Sequence, residues 1–175
     1  MPTTAKTKAK RAAERKSNVS RASQAARLAS PNAIELLKRD HREVEGYFEE
    51  YEDLTDGDAK AELAEKICSA LTMHMQIEEE IFYPQARDAT GDDDLLDEAL
   101  VEHGGAKHLI EEIQSMEPGE DLYDAKIRVL SEQIKHHVEE EEGELFPEVE
   151  RSKIDVGQVG KEIADRKNEL TAEAA

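Results

Sequence analysis

From residue 34 onward, apolar side chains recur at steps of three and four in four separate runs, and one position of each run holds a histidine. The runs are Ile34, Leu37, His41, Val44, Phe48, Tyr51; Leu63, Ile67, Ala70, His74, Ile77, Ile81; Leu96, Ala99, His103, Ala106, Ile110, Ile113; and Tyr123, Ile127, Leu130, Ile134, His137, Glu141. Such steps keep side chains on one face of a 3.6-residue helix, so the pattern predicts four amphipathic helices, each with an inward imidazole. Ser30-Pro31 reads as the cap and first position of the first helix. Thr55-Asp56-Gly57-Asp58 ends it and caps the second, Gly91 to Asp94 opens the third, and Glu117-Pro118-Gly119 closes it. A shorter helix from about Val156 to Leu170 is expected to pack back through Val159 and Ile163, as an accessory element.

Short connections between long helices predict an all-α, antiparallel up-down-up-down four-helix bundle. The 175 residues then divide into an arm over 1–29, the bundle over 30–152, and a short C-terminal helix and tail over 153–175. His41 lies about 15 residues before the first turn and His74 about 17 after it, and His103 and His137 stand about 15 and 18 from theirs. At roughly 1.5 Å per residue the four imidazoles share one layer.

The second and fourth helices repeat a local pattern. His74-Met-Gln-Ile-Glu78-Glu79-Glu80-Ile-Phe-Tyr-Pro84 matches His137-Val-Glu-Glu-Glu141-Glu142-Gly-Glu-Leu-Phe-Pro147, with glutamates four and five residues after the histidine and proline ten after it. The neighbouring pair His136 and Glu140 has the same spacing but leaves the apolar seam and puts Pro147 at eleven, so His137 and Glu141 are the inward pair.

Charge divides the chain. The arm carries Lys6, Lys8, Lys10, Arg11, Arg15, Lys16, Arg21 and Arg27 against the single acid Glu14, a net +7, which leaves the remainder of the chain at −26. An acidic body repels phosphates, so any nucleic-acid contact would have to use the arm. The arm has no apolar block of a secretory signal, and no run of apolar residues is long enough to span a membrane. Cys68 stands alone, which fits a cytoplasmic chain with no internal disulfide.

A carboxylate four residues after a histidine shares its helical face, so Glu78 and Glu141 point to the same layer as the four histidines. Ionised carboxylates buried without cationic partners are costly, and a pair of metal ions removes the cost. Four imidazoles and two bridging carboxylates leave open positions on two octahedral ions. Nitrogen and oxygen donors without thiolate suit iron, with manganese or zinc as alternatives, and disfavour a closed structural zinc site. Glu79, Glu80, Glu139, Glu140 and Glu142 read as solvated helix faces, and Tyr47 and Tyr51 as packing residues or outer donors to the layer.

The ordered set Asp40-His41, His74-x3-Glu78, Glu102-His103 and His137-x3-Glu141 resembles the hemerythrin-like, or HHE cation-binding, family over residues 33 to about 150. The resemblance implies a non-haem pair of iron ions with an oxo or hydroxo bridge, ligated by His41, His74, His103 and His137 and bridged by Glu78 and Glu141. The oxygen-carrying members have a further histidine four residues after the third one, where this chain has Lys107. His108, one residue on, is a secondary candidate ligand, and Lys107 a candidate donor to a bound oxygen species. The expected activity is binding of, or reaction with, a small diatomic ligand (O2 or NO) or peroxide, in sensing, stress response or iron handling. The alternative is an acidic helical interaction protein whose metal serves stability alone.

Overall fold

The computed structural model describes residues 32–91 and 93–173. The basic arm and the expected Ser30-Pro31 cap lie outside the described residues. The first helix, α1 (Ala33–Asp53), starts two residues later than the sequence suggested, because Asn32 is the cap: its side chain accepts the Ile34 N–H at 2.9 Å. Helix α2 (Gly57–Ile77) is capped by Asp56, which accepts the Ala59 N–H at 3.0 Å. It runs through a π-helical turn, Glu78–Phe82, into α3 (Tyr83–Thr90). Helix α4 (Asp93–Gln114) follows Gly91, whose φ of 70° is the left-handed conformation open to glycine. Helix α5 (Tyr123–Glu140) passes through a second π turn, Glu141–Leu145, into α6 (Phe146–Arg151), and α7 (Val156–Glu173) closes the described chain.

The two π turns occupy the same place in the sequence repeat. In each, an N–H reaches the carbonyl five residues back: Tyr83 to Glu78, and Phe146 to Glu141. The next residue is proline in both halves, Pro84 and Pro147. Proline has no N–H to give and crowds the carbonyl four residues earlier, so a widened turn before it lets the helix continue. The extra residue also rotates the helix beyond it. Ile81, expected on the seam, is only partly buried, while Phe82 and Tyr83 turn inward.

Helix α1 packs against α2 and α5, and α4 against the same two, while α7 lies across α1 and α2. Sequence neighbours are therefore spatial neighbours around the ring, as an up-down-up-down bundle requires. The apolar core falls into two clusters. One gathers Leu37, Ile77, Phe82, Leu96, Phe146 and Val149, joined by Val159 and Ile163 of α7. The other gathers Phe48, Ile67, Leu71, Ile110, Ile127 and Leu130. The polar residues buried in the bundle are Asp40, the four histidines, Glu78 and Glu141. Among the described residues no helix is long and apolar enough to cross a membrane.

Candidate metal centre

The structure brings the six predicted donors together, and His41, His74, His103, His137, Glu78 and Glu141 are all buried. Their contacts form two groups. In the first, His41 Nε2 and His74 Nε2 are 3.0 Å apart, His74 Nε2 is 3.1 Å from Glu78 Oε1, and His41 Nε2 is 3.3 Å from Glu141 Oε2. In the second, His103 Nε2 and His137 Nε2 are 3.1 Å apart, with Glu78 Oε2 3.4 Å from His103 and Glu141 Oε2 3.7 Å from His137. Glu78 therefore directs one oxygen to each group, while one oxygen of Glu141 faces both.

The outer nitrogens decide what the inner ones can do. His41 Nδ1 lies 2.9 Å from Glu142, His103 Nδ1 2.9 Å from Glu79, and His137 Nδ1 2.8 Å from Glu102. A carboxylate only accepts, so each of these Nδ1 atoms carries the proton, and in a neutral ring Nε2 presents its lone pair inward. His103 and His137 thus turn lone pairs on each other at 3.1 Å, which repel unless a proton or a cation lies between them. By contrast, no described residue accepts a proton from His74 Nδ1, and its Nε2 is free to donate to His41. Ligands held at ~2.1 Å on one ion are about 3 Å apart. Glu78 Oε1 and Glu141 Oε2 are buried and accept no hydrogen bond, a second sign that the cage is shaped for cations. Without a cation, burial opposes charge on His74, but the Glu78 carboxylate and neighbouring Asp40 outweigh it and raise its pKa to about 10. The His74 and His103 imidazoles together hold Glu78 well below the usual carboxylate range against the effect of its burial.

The four acids around the histidines follow the repeat. Asp40 and Glu102, each one residue before the histidine of its own helix, face His74 and His137 of the next. Glu79 and Glu142, each five residues after a histidine, cross to His103 and His41 in the other half. The expectation that Glu79 and Glu142 are solvated faces is thus corrected: their carboxylates fix ring orientation, as outer carboxylates do around metal-binding histidines. Asp40 stands 3.6 Å from His74 Nδ1, too far for a hydrogen bond, because Lys167 holds both its oxygens at 2.7 and 2.6 Å.

Other candidates lie elsewhere. His108 is on the surface, its side chain 73% exposed and 3.8 Å from Glu112, so it does not join the donor layer. Lys107 holds both oxygens of Glu79, at 2.7 and 2.6 Å, and so meets the layer only through Glu79 and His103. Tyr47 bonds Glu43, and Tyr51 bonds Asp124 on α5. Cys68 is buried, which pushes its thiol up to about 11. Tyr83 is a further donor that helical spacing alone does not single out. Its hydroxyl donates to Glu141 Oε1 at 2.9 Å and lies 3.2 Å from His103 Nε2. The corresponding residue of the other half is Phe146, stacked on His41 with ring centres 5.9 Å apart. That Tyr/Phe difference was visible in the repeat, but only the π turn aims it at the layer.

The fold is an antiparallel four-helix bundle, and its buried histidines and carboxylates fall into two groups that could each hold a metal ion. Residues 32–149 match the family described as Hemerythrin HHE cation binding domain, and the chain belongs to that family. Among solved structures, it is similar to a Hemerythrin HHE cation binding domain-containing protein from Mycobacterium kansasii, with a TM-score of 0.71, 21% identity, and coverage of 82% of this chain and 90% of that one. It is also 30% identical over 115 residues to a DNA nickase from Nostoc sp.. That match takes in 66% of this chain but only 32% of the nickase, so the chain spans about a third of that protein's length.

Proposed function

We propose that this chain is a non-haem di-iron protein that binds or reacts with O2, NO or peroxide. The observation that carries the reading is the pair of Nε2 contacts at 3.0 and 3.1 Å with Glu78 directing one oxygen to each. His41, His74, Glu78 and Glu141 would hold one ion, and His103, His137 and Glu78 the other. Bound iron would supply the redox and ligand-binding chemistry.

The chain's own residues account for the rest. Glu142, Glu79 and Glu102 keep three imidazoles in the tautomer that presents Nε2. Tyr83 places a hydroxyl proton beside His103 and Glu141, where it can be donated to a small polar ligand, and Phe146 offers no such proton beside His41. Burial raises the Tyr83 pKa well above its ordinary value, with the Glu141 and Glu78 carboxylates adding to the effect, so it stays a phenol and a donor. A void of about 10 Å³ lies beside His41, His74 and His137, lined also by Asp40, Val44, Leu71, Met75, Ile134 and Val138, and is at the lower limit for a single water. A groove of about 380 Å³ between α1 and α5 leads from solvent to His41 past Arg42 and Glu142.

Nicking of DNA is not carried over from the Nostoc protein, because the match leaves two thirds of it unaccounted for and an acidic bundle repels a phosphate backbone. Purification with iron tests the proposal. Two irons per chain with the near-ultraviolet absorption of an oxo-bridged diferric pair, changed by anaerobic mixing with O2, NO or peroxide, is the expected result. Two irons without that absorption, or a spectrum inert to all three reagents, would refute it.

A further inference from the structure

Three of the four acids that face the histidines are neutralised by a fixed cation. Lys167 grips Asp40, Lys107 grips Glu79, and Arg42 reaches Glu142 at 2.7 Å. The fourth is different. Glu102 gives Oε2 to His137, and among the described residues no lysine or arginine pairs with it. Its Oε1 instead stands 3.7 Å from His136 Nε2, which is also 3.4 Å from Glu140 Oε1. An imidazole and two carboxylates thus meet at the point where the other three acids have a basic side chain, and their ligand atoms all lie within 4.8 Å of one another.

We propose that Glu102, His136 and Glu140 form a peripheral site for a divalent transition cation, separate from the buried pair of groups. The donor set, one nitrogen and two carboxylate oxygens, suits zinc, manganese or ferrous iron, with water completing the shell on the open side. The separations of 3.4 and 3.7 Å are close to the ~3.3 Å edge of a tetrahedral site with bonds of ~2.0–2.1 Å. The sequence repeat makes the site particular to one half of the molecule. His136 and Glu140 each precede an inward donor by one residue, and the corresponding positions of the first half are Met73 and Ile77. An ion here would hold Glu102 as Lys167 holds Asp40, and it would share that carboxylate with His137. Unlike a lysine, it can leave.

The peripheral site consists of these three side chains and is independent of what the buried cage binds. His136 is 62% exposed, so replacing it leaves the core untouched. Full-length wild-type protein and His136→Gln are each dialysed to equilibrium against Zn2+, and bound zinc per chain is counted. The wild type is expected to hold one more ion than the variant, and Glu140→Gln is expected to lose the same equivalent. Equal counts in wild type and His136→Gln would overturn the site and mark the cluster as ordinary ion pairing. If the buried cage took up no zinc, the one-ion difference would still appear, so the two readings fail separately.

Discussion

Each of His41, His103 and His137 uses its two ring nitrogens for opposite purposes, giving a proton outward to a carboxylate and a lone pair inward to the cage. That division predicts a graded response to substitution. Glu142→Gln, which loses the charge on His41 Nδ1 while keeping the shape, should weaken iron binding by about 10- to 100-fold. Glu78→Gln should do far more, since Glu78 is common to both groups of donors, and iron per chain should fall from two towards none. Metal analysis after equilibrium dialysis separates the two results, and equal effects would argue against Glu78 as the shared ligand. Tyr83→Phe should keep both irons but alter the rate of reaction with peroxide or NO, measured by stopped-flow absorbance. The inward donors were legible in the sequence because spacing of three and four fixes a helical face. Glu79 and Glu142 were not, because five residues from a histidine lies at the edge of that face, where solvent and a neighbouring ring are both within reach.

At the scale of elements, the seams of α1 and α4 read from the sequence are the buried faces observed, since nothing interrupts their period. The buried faces depart from the three-and-four spacing where the helical period changes. Proline ten residues after each histidine was visible, but its consequence was a π turn, and the added residue replaced Ile81 with Phe82 and Tyr83 on the inner face. The last helix was recognised by Val159 and Ile163, yet its accessory standing does not survive the structure. α7 sends Lys167 to Asp40 beside His74, and Arg166 to Glu80 at 2.8 Å on the adjoining π turn. Two substitutions separate its roles. Ile163→Ala, at a fully buried position, should cost about 2–5 kcal/mol through the cavity it leaves. Lys167→Met should cost on the order of 1–3 kcal/mol by stranding the buried Asp40 carboxylate, and should also weaken metal binding on the His74 side. Urea midpoints at unchanged slope measure the first effect, and metal titrations the second. A Lys167→Met protein with unaltered metal affinity would confine α7 to packing.

For the molecule as a whole, two apolar clusters enclose a layer of imidazoles and carboxylates, so proton binding, metal binding and stability are linked. Consider the metal-free protein. His74 has its pKa raised from 6.5 to about 10 by Glu78 and Asp40 against its burial. A raised histidine stabilises the fold fully below its unfolded pKa, and that contribution is lost as pH climbs through the folded value. Glu78 is lowered well below 4.5, so its contribution is present above 4.5 and lost on acidification. The metal-free bundle should therefore be most stable between about pH 4.5 and 6.5 and should melt at falling temperature from there towards pH 10. Metal binding must expel the His74 proton, so the apparent affinity should move the other way and rise with pH over the same interval. The iron-loaded protein, with no imidazolium left to lose, should melt higher and show little dependence on alkaline pH. Calorimetric melts of both forms across this range, with proton release followed in a weakly buffered titration, test the linkage. If the two forms lose stability in parallel as pH rises, the cage does not couple protons to metal in the way its geometry requires.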